Sequence, residues 1–61
     1  MTISQVQDTL LRNAWSVVRH DGLVRTLVED GSQNLITLAG EDDDVVPDLA
    51  LNDIRWVAGA L

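Results

Sequence analysis

The sequence predicts an α+β fold: a short N-terminal helix packed on a small, strongly bent antiparallel β-meander of about four or five strands. Three observations predict it. A helix-capping pattern opens the chain, two Asp-Gly steps separate runs of β-branched residues, and the last apolar run favours a further strand. The arrangement that competes with it is a three-stranded antiparallel sheet with helices at both ends.

The N-terminal helix is predicted over residues 2–13. Thr2 with Gln5, and Ser4 with Gln7, have the capping-box spacing, in which two side chains satisfy free amides of the first turn. Apolar residues at three- and four-residue spacing then predict one stripe that packs on the core, formed by Ile3, Val6, Leu10 and Ala14.

Three strands are predicted to follow, over residues 15–20, 23–29 and 33–39. The first is rich in strand formers, although a helix that continues to Arg19 competes with it. Asp21-Gly22 and Asp30-Gly31 predict type I′ hairpin turns, which need positive φ at both central residues. Arg25 shares one face of the second strand with Leu27, so both faces of the sheet are expected to be partly covered.

The end of the chain is predicted to contain a loop over residues 40–48 and a terminal strand over residues 49–58. The strand formers of this segment are Ile54, Trp56 and Val57. A helix competes, because Asp48 would cap it and apolar residues also recur at helical spacing. Those residues are Leu51, Ile54, Ala58 and Leu61.

The charge composition argues against several classes of function. The chain carries ten acidic residues, four arginines, no lysine and no cysteine, for a net charge of −6. Direct nucleic-acid binding and attachment to an anionic membrane both need clustered cations, so neither is expected. No leader or membrane-spanning stretch is apparent. We therefore expect a cytoplasmic protein without disulfides, from a bacterial or phage setting.

The length of the chain limits its core. A single small domain over residues 1–61 buries only about 60% of its unfolded surface, which makes one core marginal. The chain is nevertheless 46% hydrophobic. Sharing apolar surface with a second copy or with another protein is one way to stabilise such a chain, and we expect self-association.

The acidic loop is the main candidate site. Its carboxylates are Glu41, Asp42, Asp43, Asp44 and Asp48. An EF-hand calcium loop has an oxygen ligand at its fifth position and glycine at its sixth. If Asp42 is counted as the first position, Val46 is the fifth residue and Pro47 the sixth, so the pattern does not match. A solvated loop, a surface for a basic protein partner and a divalent-cation site remain as interpretations, and no metal ligands are assigned.

No catalytic constellation is evident. His20 is the only histidine and lies beside Asp21, but no serine sits in a nucleophile-elbow motif, and the four glycines form no phosphate-binding loop. We predict that the chain is not an enzyme and takes no cofactor. Trp15 and Trp56 are expected to be partly buried, with Trp56 the better candidate for an interface anchor.

The predicted order of elements resembles a small five-stranded SH3-like or Sm-like barrel. Residues 34–38 (Asn-Leu-Ile-Thr-Leu) are similar to the end of the first Sm motif, and residues 53–57 resemble the last strand of such barrels. The Arg-Gly step of the second Sm motif is absent, as is a basic surface. The resemblance therefore implies a fold and does not imply RNA binding.

The function expected from these observations is that of a small acidic, non-catalytic protein-interaction or accessory module that self-associates. One alternative is an inhibitor of a basic protein, in which aspartates imitate the phosphates of a nucleic acid. A second is a divalent-cation-binding module that uses the loop of residues 41–48. A third is an enzyme subunit that works only inside a complex.

Overall fold

The computed structural model describes all 61 residues. Its elements are α1 (Ile3–Arg12), β1 (Trp15–Asp21), β2 (Val24–Glu29), β3 (Leu35–Ala39) and α2 (Asp48–Ala58). The strands form one antiparallel sheet in the order β1-β2-β3. The fold is α+β with an antiparallel meander, and it matches the alternative of a three-stranded sheet with helices at both ends. The arrangement of four or five strands, and with it the SH3-like barrel, is not confirmed.

Helix α1 begins with the predicted capping box. The Gln5 N–H donates to Thr2 Oγ1 at 3.2 Å, and the Thr2 N–H donates to Gln5 Oε1 at 2.9 Å. The helix ends at Arg12, and Ala14 follows with a φ of 66°. The prediction that Ala14 extends the apolar stripe of the helix is therefore wrong, because Ala14 lies beyond the end of the helix in a left-handed conformation.

The β1–β2 hairpin turns at a different pair of residues from the predicted one. Asp21 pairs with Val24, so Gly22 and Leu23 are the central residues of the turn. Only Gly22 has a positive φ, at 57°. A type I′ turn needs positive φ at both positions, whereas a glycine at the first central position is the requirement of a type II′ turn.

The β2–β3 connection is longer than a two-residue turn. It spans residues 30–34, and β3 begins at Leu35 rather than at residue 33. Glu29 closes this loop: its N–H donates to the Asn34 carbonyl oxygen at 3.1 Å, and its Oε1 accepts from Ser32 Oγ at 2.8 Å. The second Asp-Gly step therefore begins a loop that is held by side-chain hydrogen bonds.

The terminal strand predicted over residues 49–58 is wrong, because this segment forms α2. Pro47 is the N-cap residue and Asp48 the first helical residue, so Asp48 does not cap the helix with its side chain. Gly59 ends the helix with a φ of 69°, and its N–H donates to the Arg55 carbonyl oxygen at 2.8 Å. Proline before the helix and left-handed glycine after it are typical helix boundaries, and they outweigh the strand propensity.

A single hydrophobic core lies between the helices and the inward face of the sheet. Its buried residues are Ile3, Val6, Leu10, Trp15, Leu27, Ile36, Leu38, Val46, Leu51 and Ile54. All five elements contribute to it, as does the segment that precedes α2. Neither helix has the length and apolar character that a membrane-spanning segment requires.

The centre of this core gives a direct test of the packing. Leu27 on the middle strand is fully buried, whereas Leu23 in the first turn is about half exposed. We expect Leu27→Ala to lower the free energy of unfolding by about 2–5 kcal/mol, because it removes apolar contacts and leaves a cavity. Leu23→Ala, the matched control, should change it by less than about 1 kcal/mol. Urea unfolding followed by circular dichroism measures both, and equal losses would contradict the core described here.

Candidate functional site

The acidic segment after β3 forms a loop that is hydrogen-bonded to itself. The Glu41 N–H donates to Asp44 Oδ2 at 2.8 Å, and the Asp44 N–H donates to the Glu41 carbonyl oxygen at 3.1 Å. Gly40 precedes this turn with a φ of 138°, and a Cβ there would lie 2.9 Å from Asp44 Oδ2. Glycine is therefore needed at this position, and the Asp44 carboxylate is occupied inside the loop.

The backbone of the same loop covers the first turn of α1. The carbonyl oxygens of Asp44 and Asp42 accept from the N–H groups of Ile3 at 2.9 Å and Ser4 at 3.0 Å. The first N–H groups of a helix have no partner within the helix. The loop supplies two of the missing acceptors, so its path is tied to the start of α1.

The side chain of Arg25 ties the loop to the sheet. Arg25 is the only buried charged residue, with 5% of its surface exposed. Its Nη1 donates to Gln7 Oε1 at 2.9 Å and its Nη2 donates to Asp42 Oδ1 at 2.8 Å, whereas its buried Nε has no partner. A buried guanidinium is costly unless it is paired, so the Asp42 carboxylate compensates a charge that β2 places inside the protein.

The other three loop carboxylates have no partner within the chain. Glu41, Asp43 and Asp48 are exposed and make no side-chain hydrogen bond within the chain. No group of three or more His, Asp or Glu side chains is arranged to hold a metal ion. Two of the candidate partner-binding carboxylates, those of Asp42 and Asp44, therefore make contacts within the chain, and the other three make none. Trp56 lies on a different element, α2.

His20 and Asp21 do not form an acid–base pair with each other. Both lie on β1 and are exposed, and the Asp21 carboxylate is ion-paired with Arg19. Ser16, also on β1, donates its hydroxyl to Asp30 Oδ1 at 3.3 Å. The structure brings no serine hydroxyl, imidazole and carboxylate together in a hydrogen-bonded chain of the kind that nucleophilic catalysis requires.

The most exposed apolar side chains lie on the side of α2 that points away from the core. Trp15 is buried with 2% of its surface exposed, but Trp56 is 90% exposed, and the expectation that it is partly buried is wrong. Leu49 is 82% exposed. We define the α2 outer face as Leu49, Asn52, Asp53 and Trp56, which share one side of a helix with 3.6 residues per turn.

An open groove adjoins this face, between α2 and the edge strand β3. Leu35 and Thr37 line it from β3, and Asp53 and Val57 line it from α2. Because β3 is the last strand of the sheet, one of its edges has no neighbouring strand. The groove shares Asp53 with the α2 outer face, and five of its seven lining residues are apolar.

Comparison of the chain with protein-family models, with curated proteins and with solved structures finds no match.

Two residues that matter at this site carried weak signals in the sequence. Arg25 is a charged residue at an inward position of a strand, next to the buried Leu27, and that placement indicates a buried and paired guanidinium. Leu49 follows Pro47 and Asp48 and lies seven residues before Trp56. This spacing becomes informative only when the segment is assigned as a helix, because a strand would have placed the two side chains on opposite faces.

The contact between Arg25 and Asp42 predicts different roles for two neighbouring aspartates. Asp42→Ala leaves the buried guanidinium without its anion and should lower the free energy of unfolding by about 1–3 kcal/mol. Asp43→Ala changes the net charge equally but removes no contact, so it should change stability by less than about 0.5 kcal/mol. Urea unfolding distinguishes the two, and an equal effect of both substitutions would show that the ion pair does not contribute.

Proposed function

We propose that this chain is a small, non-catalytic protein-interaction module that binds its partner through the α2 outer face. The observation that carries the proposal is the exposure of Trp56 and Leu49, at 90% and 82%, on a helix whose opposite side is already packed on the core. A helix that is apolar on most of its circumference is usually buried on most of it. Here the outer side has no partner within the chain.

The kind of side chain exposed on this face agrees with docking. A tryptophan side chain offers roughly 150–250 Å² of contact area. Trp56 and Leu49 are the two most exposed large apolar side chains of the chain. Tryptophan is also enriched among the residues that dominate binding energy at protein interfaces.

The acidic loop supports this placement of the site by being occupied elsewhere. One oxygen of the Asp42 carboxylate binds Arg25 and one oxygen of the Asp44 carboxylate binds the loop backbone, so a partner that displaced these oxygens would have to replace contacts of the fold. Glu41 and Asp43 are free to give long-range attraction to a basic partner, and such charges change association rates more than affinity. We propose the cytoplasm as the compartment, in keeping with a chain that lacks cysteine.

Site-specific photocrosslinking tests this proposal. A benzophenone side chain is placed at position 56, and control proteins carry it at position 23 in the first turn or at position 43 in the acidic loop. On illumination in a lysate of the source cell, we expect position 56 alone to crosslink to one defined protein sequence, identified by mass spectrometry. Leu49→Gln should remove that crosslink, because it deletes apolar contact beside the probe while it leaves the core untouched.

Two results would contradict the proposal. One is that position 56 crosslinks no more than position 23, which would show that the exposed tryptophan has no bound partner. The other is that position 43 gives the specific crosslink and position 56 does not, which would move the site to the acidic loop. Circular dichroism of each labelled protein verifies that the fold is retained.

A further inference from the structure

We infer that the occupant of the α2 outer face is a second copy of this chain, with the two α2 helices antiparallel about a two-fold axis. In this arrangement Leu49 packs on the partner's Trp56, and Asp48 lies beside the partner's Arg55. The inference rests on the proposed function, because it names the partner of the same surface. Three features support it: the spacing of the apolar anchors on α2, the spacing of opposite charges on α2, and the position of the acidic loop.

The first feature is the spacing of the apolar anchors. Leu49 and Trp56 are seven residues apart, which is close to two helical turns and roughly 10.5 Å along the axis. In a two-fold interface, any contact between residue i and residue j occurs twice. An axis that passes midway between the anchors, near Asn52 and Asp53, therefore pairs each leucine with the other copy's tryptophan, so that both exposed side chains of both copies are covered.

The second feature is the spacing of opposite charges on one flank of the same helix. Asp48 and Arg55 are also seven residues apart. A two-fold axis midway between them passes one residue, roughly 1.5 Å along the helix, from the axis midway between Leu49 and Trp56, so one axis serves both pairs. The side-chain ion pairs of the chain are Arg19–Asp21 and Arg25–Asp42, so neither Asp48 nor Arg55 is ion-paired with another side chain. Flanking charges of this kind set partner choice and orientation between paired helices.

Arg55 has donor capacity left for such a contact. It is exposed, its Nε donates to the Leu61 carbonyl oxygen at 3.1 Å, and its Nη1 donates to Asn52 Oδ1 at 3.4 Å. The guanidinium has five N–H donors in all, and Nη2 forms no hydrogen bond within the chain. The group is therefore held near the flank of α2 with donors free for a carboxylate of the other copy.

The third feature is the position of the acidic loop, which ends just before α2. Five of the ten acidic residues lie between Glu41 and Asp48. A parallel pair of helices would bring the two loops together, whereas an antiparallel pair separates them by the length of α2, roughly 16 Å. That separation exceeds the Debye length of roughly 8 Å at physiological salt, so most of the repulsion is screened. Charge therefore selects the antiparallel orientation.

The arrangement also has an unfavourable contact. Because the axis passes near Asp53, the two Asp53 carboxylates approach each other on the flank opposite to Asp48 and Arg55. An interface of two 11-residue helices belongs to the small class, below roughly 1,200 Å² in total. We expect a reversible dimer with a dissociation constant in the micromolar range, which removal of the Asp53 charge should tighten.

Analytical ultracentrifugation of charge-exchange variants tests the inference. Asp48→Arg and Arg55→Asp should each weaken the dimer at least tenfold, and the double variant should return to within about threefold of the original, because the two charges exchange places. Asp53→Asn should tighten the dimer about threefold or more. Asp48→Arg weakens it although it lowers the magnitude of the net charge, which non-specific repulsion cannot explain.

Asp8→Arg is the matched control, since it makes the same charge change at an exposed position of α1. It should not weaken the dimer. Trp56→Gln should abolish the dimer but leave unchanged the urea midpoint measured at protein concentrations below the dissociation constant, because the side chain makes little contact with the core. The expected set of results is a dimer that depends on Trp56, is rescued by the charge exchange and is unaffected by Asp8→Arg.

Other outcomes overturn the inference in distinguishable ways. A monomer at all accessible concentrations overturns it, but leaves the proposed function intact if position 56 crosslinks to a different protein. A dimer that needs Trp56 but shows no rescue by charge exchange overturns the antiparallel arrangement alone. A dimer that ignores Trp56 and is lost when Leu35 is changed to Gln, on the outward face of β3, contradicts both proposals.

Discussion

The buried guanidinium of Arg25 is the constraint on which the rest of the structure depends. The middle strand buries this charge inside the protein, and a buried charge must be paired to be tolerated. Gln7 of α1 and Asp42 of the acidic loop supply the partners, at 2.9 Å and 2.8 Å. One side chain therefore fixes the positions of a strand, a helix and a loop relative to one another.

The same loop also completes the start of α1 through its backbone. The carbonyl oxygens of Asp42 and Asp44 accept from the N–H groups of Ser4 and Ile3. Two of the five acidic residues of this loop, Asp42 and Asp44, thus connect parts of the fold. A cluster of carboxylates suggests a binding site, but the Asp42 and Asp44 side chains accept hydrogen bonds from Arg25 and from the Glu41 N–H within the chain.

The path of the loop then decides which side of α2 is left exposed. Once the loop is tied to α1 and β2, Val46 enters the core and Pro47 caps the start of α2 at Asp48. The inward side of α2 covers the core with Leu51 and Ile54, and its outward side presents the tryptophan. The exposed face of α2 is therefore a consequence of how the loop is held, and the proposed binding and the internal ion pair belong to one account.

Local signals in the sequence predicted the elements whose structure depends on local interactions. The capping box of Thr2 and Gln5 and the strand formers after Trp15 act over a few residues, and both predictions are confirmed. The secondary structure of the segment after Pro47 was harder to predict, because its apolar residues fit a strand and a helix about equally well. What decides between them is the geometry at Pro47 and Gly59 and the core face that Leu51 and Ile54 fill together.

The candidate site was less predictable than the fold, for a physical reason. Whether a carboxylate is free or engaged depends on a partner that is distant in the sequence, as Asp42 is from Arg25. Whether a tryptophan is buried depends on which side of its element faces the core, and a strand and a helix give Trp56 different neighbours. The sequence named the acidic loop and Trp56 together, whereas the structure gives them different surroundings.

The measurement that tests this account most directly is a series of amide and indole NMR spectra recorded over a wide range of protein concentration. The account predicts concentration-dependent shifts of the Trp56 indole N–H and of amides along α2, with the amides of residues 41–44 and the Trp15 indole unchanged. Shifts concentrated in residues 41–44, with Trp56 unchanged, would contradict it, because the acidic loop would then be the binding surface and α2 would be only a cover for the core.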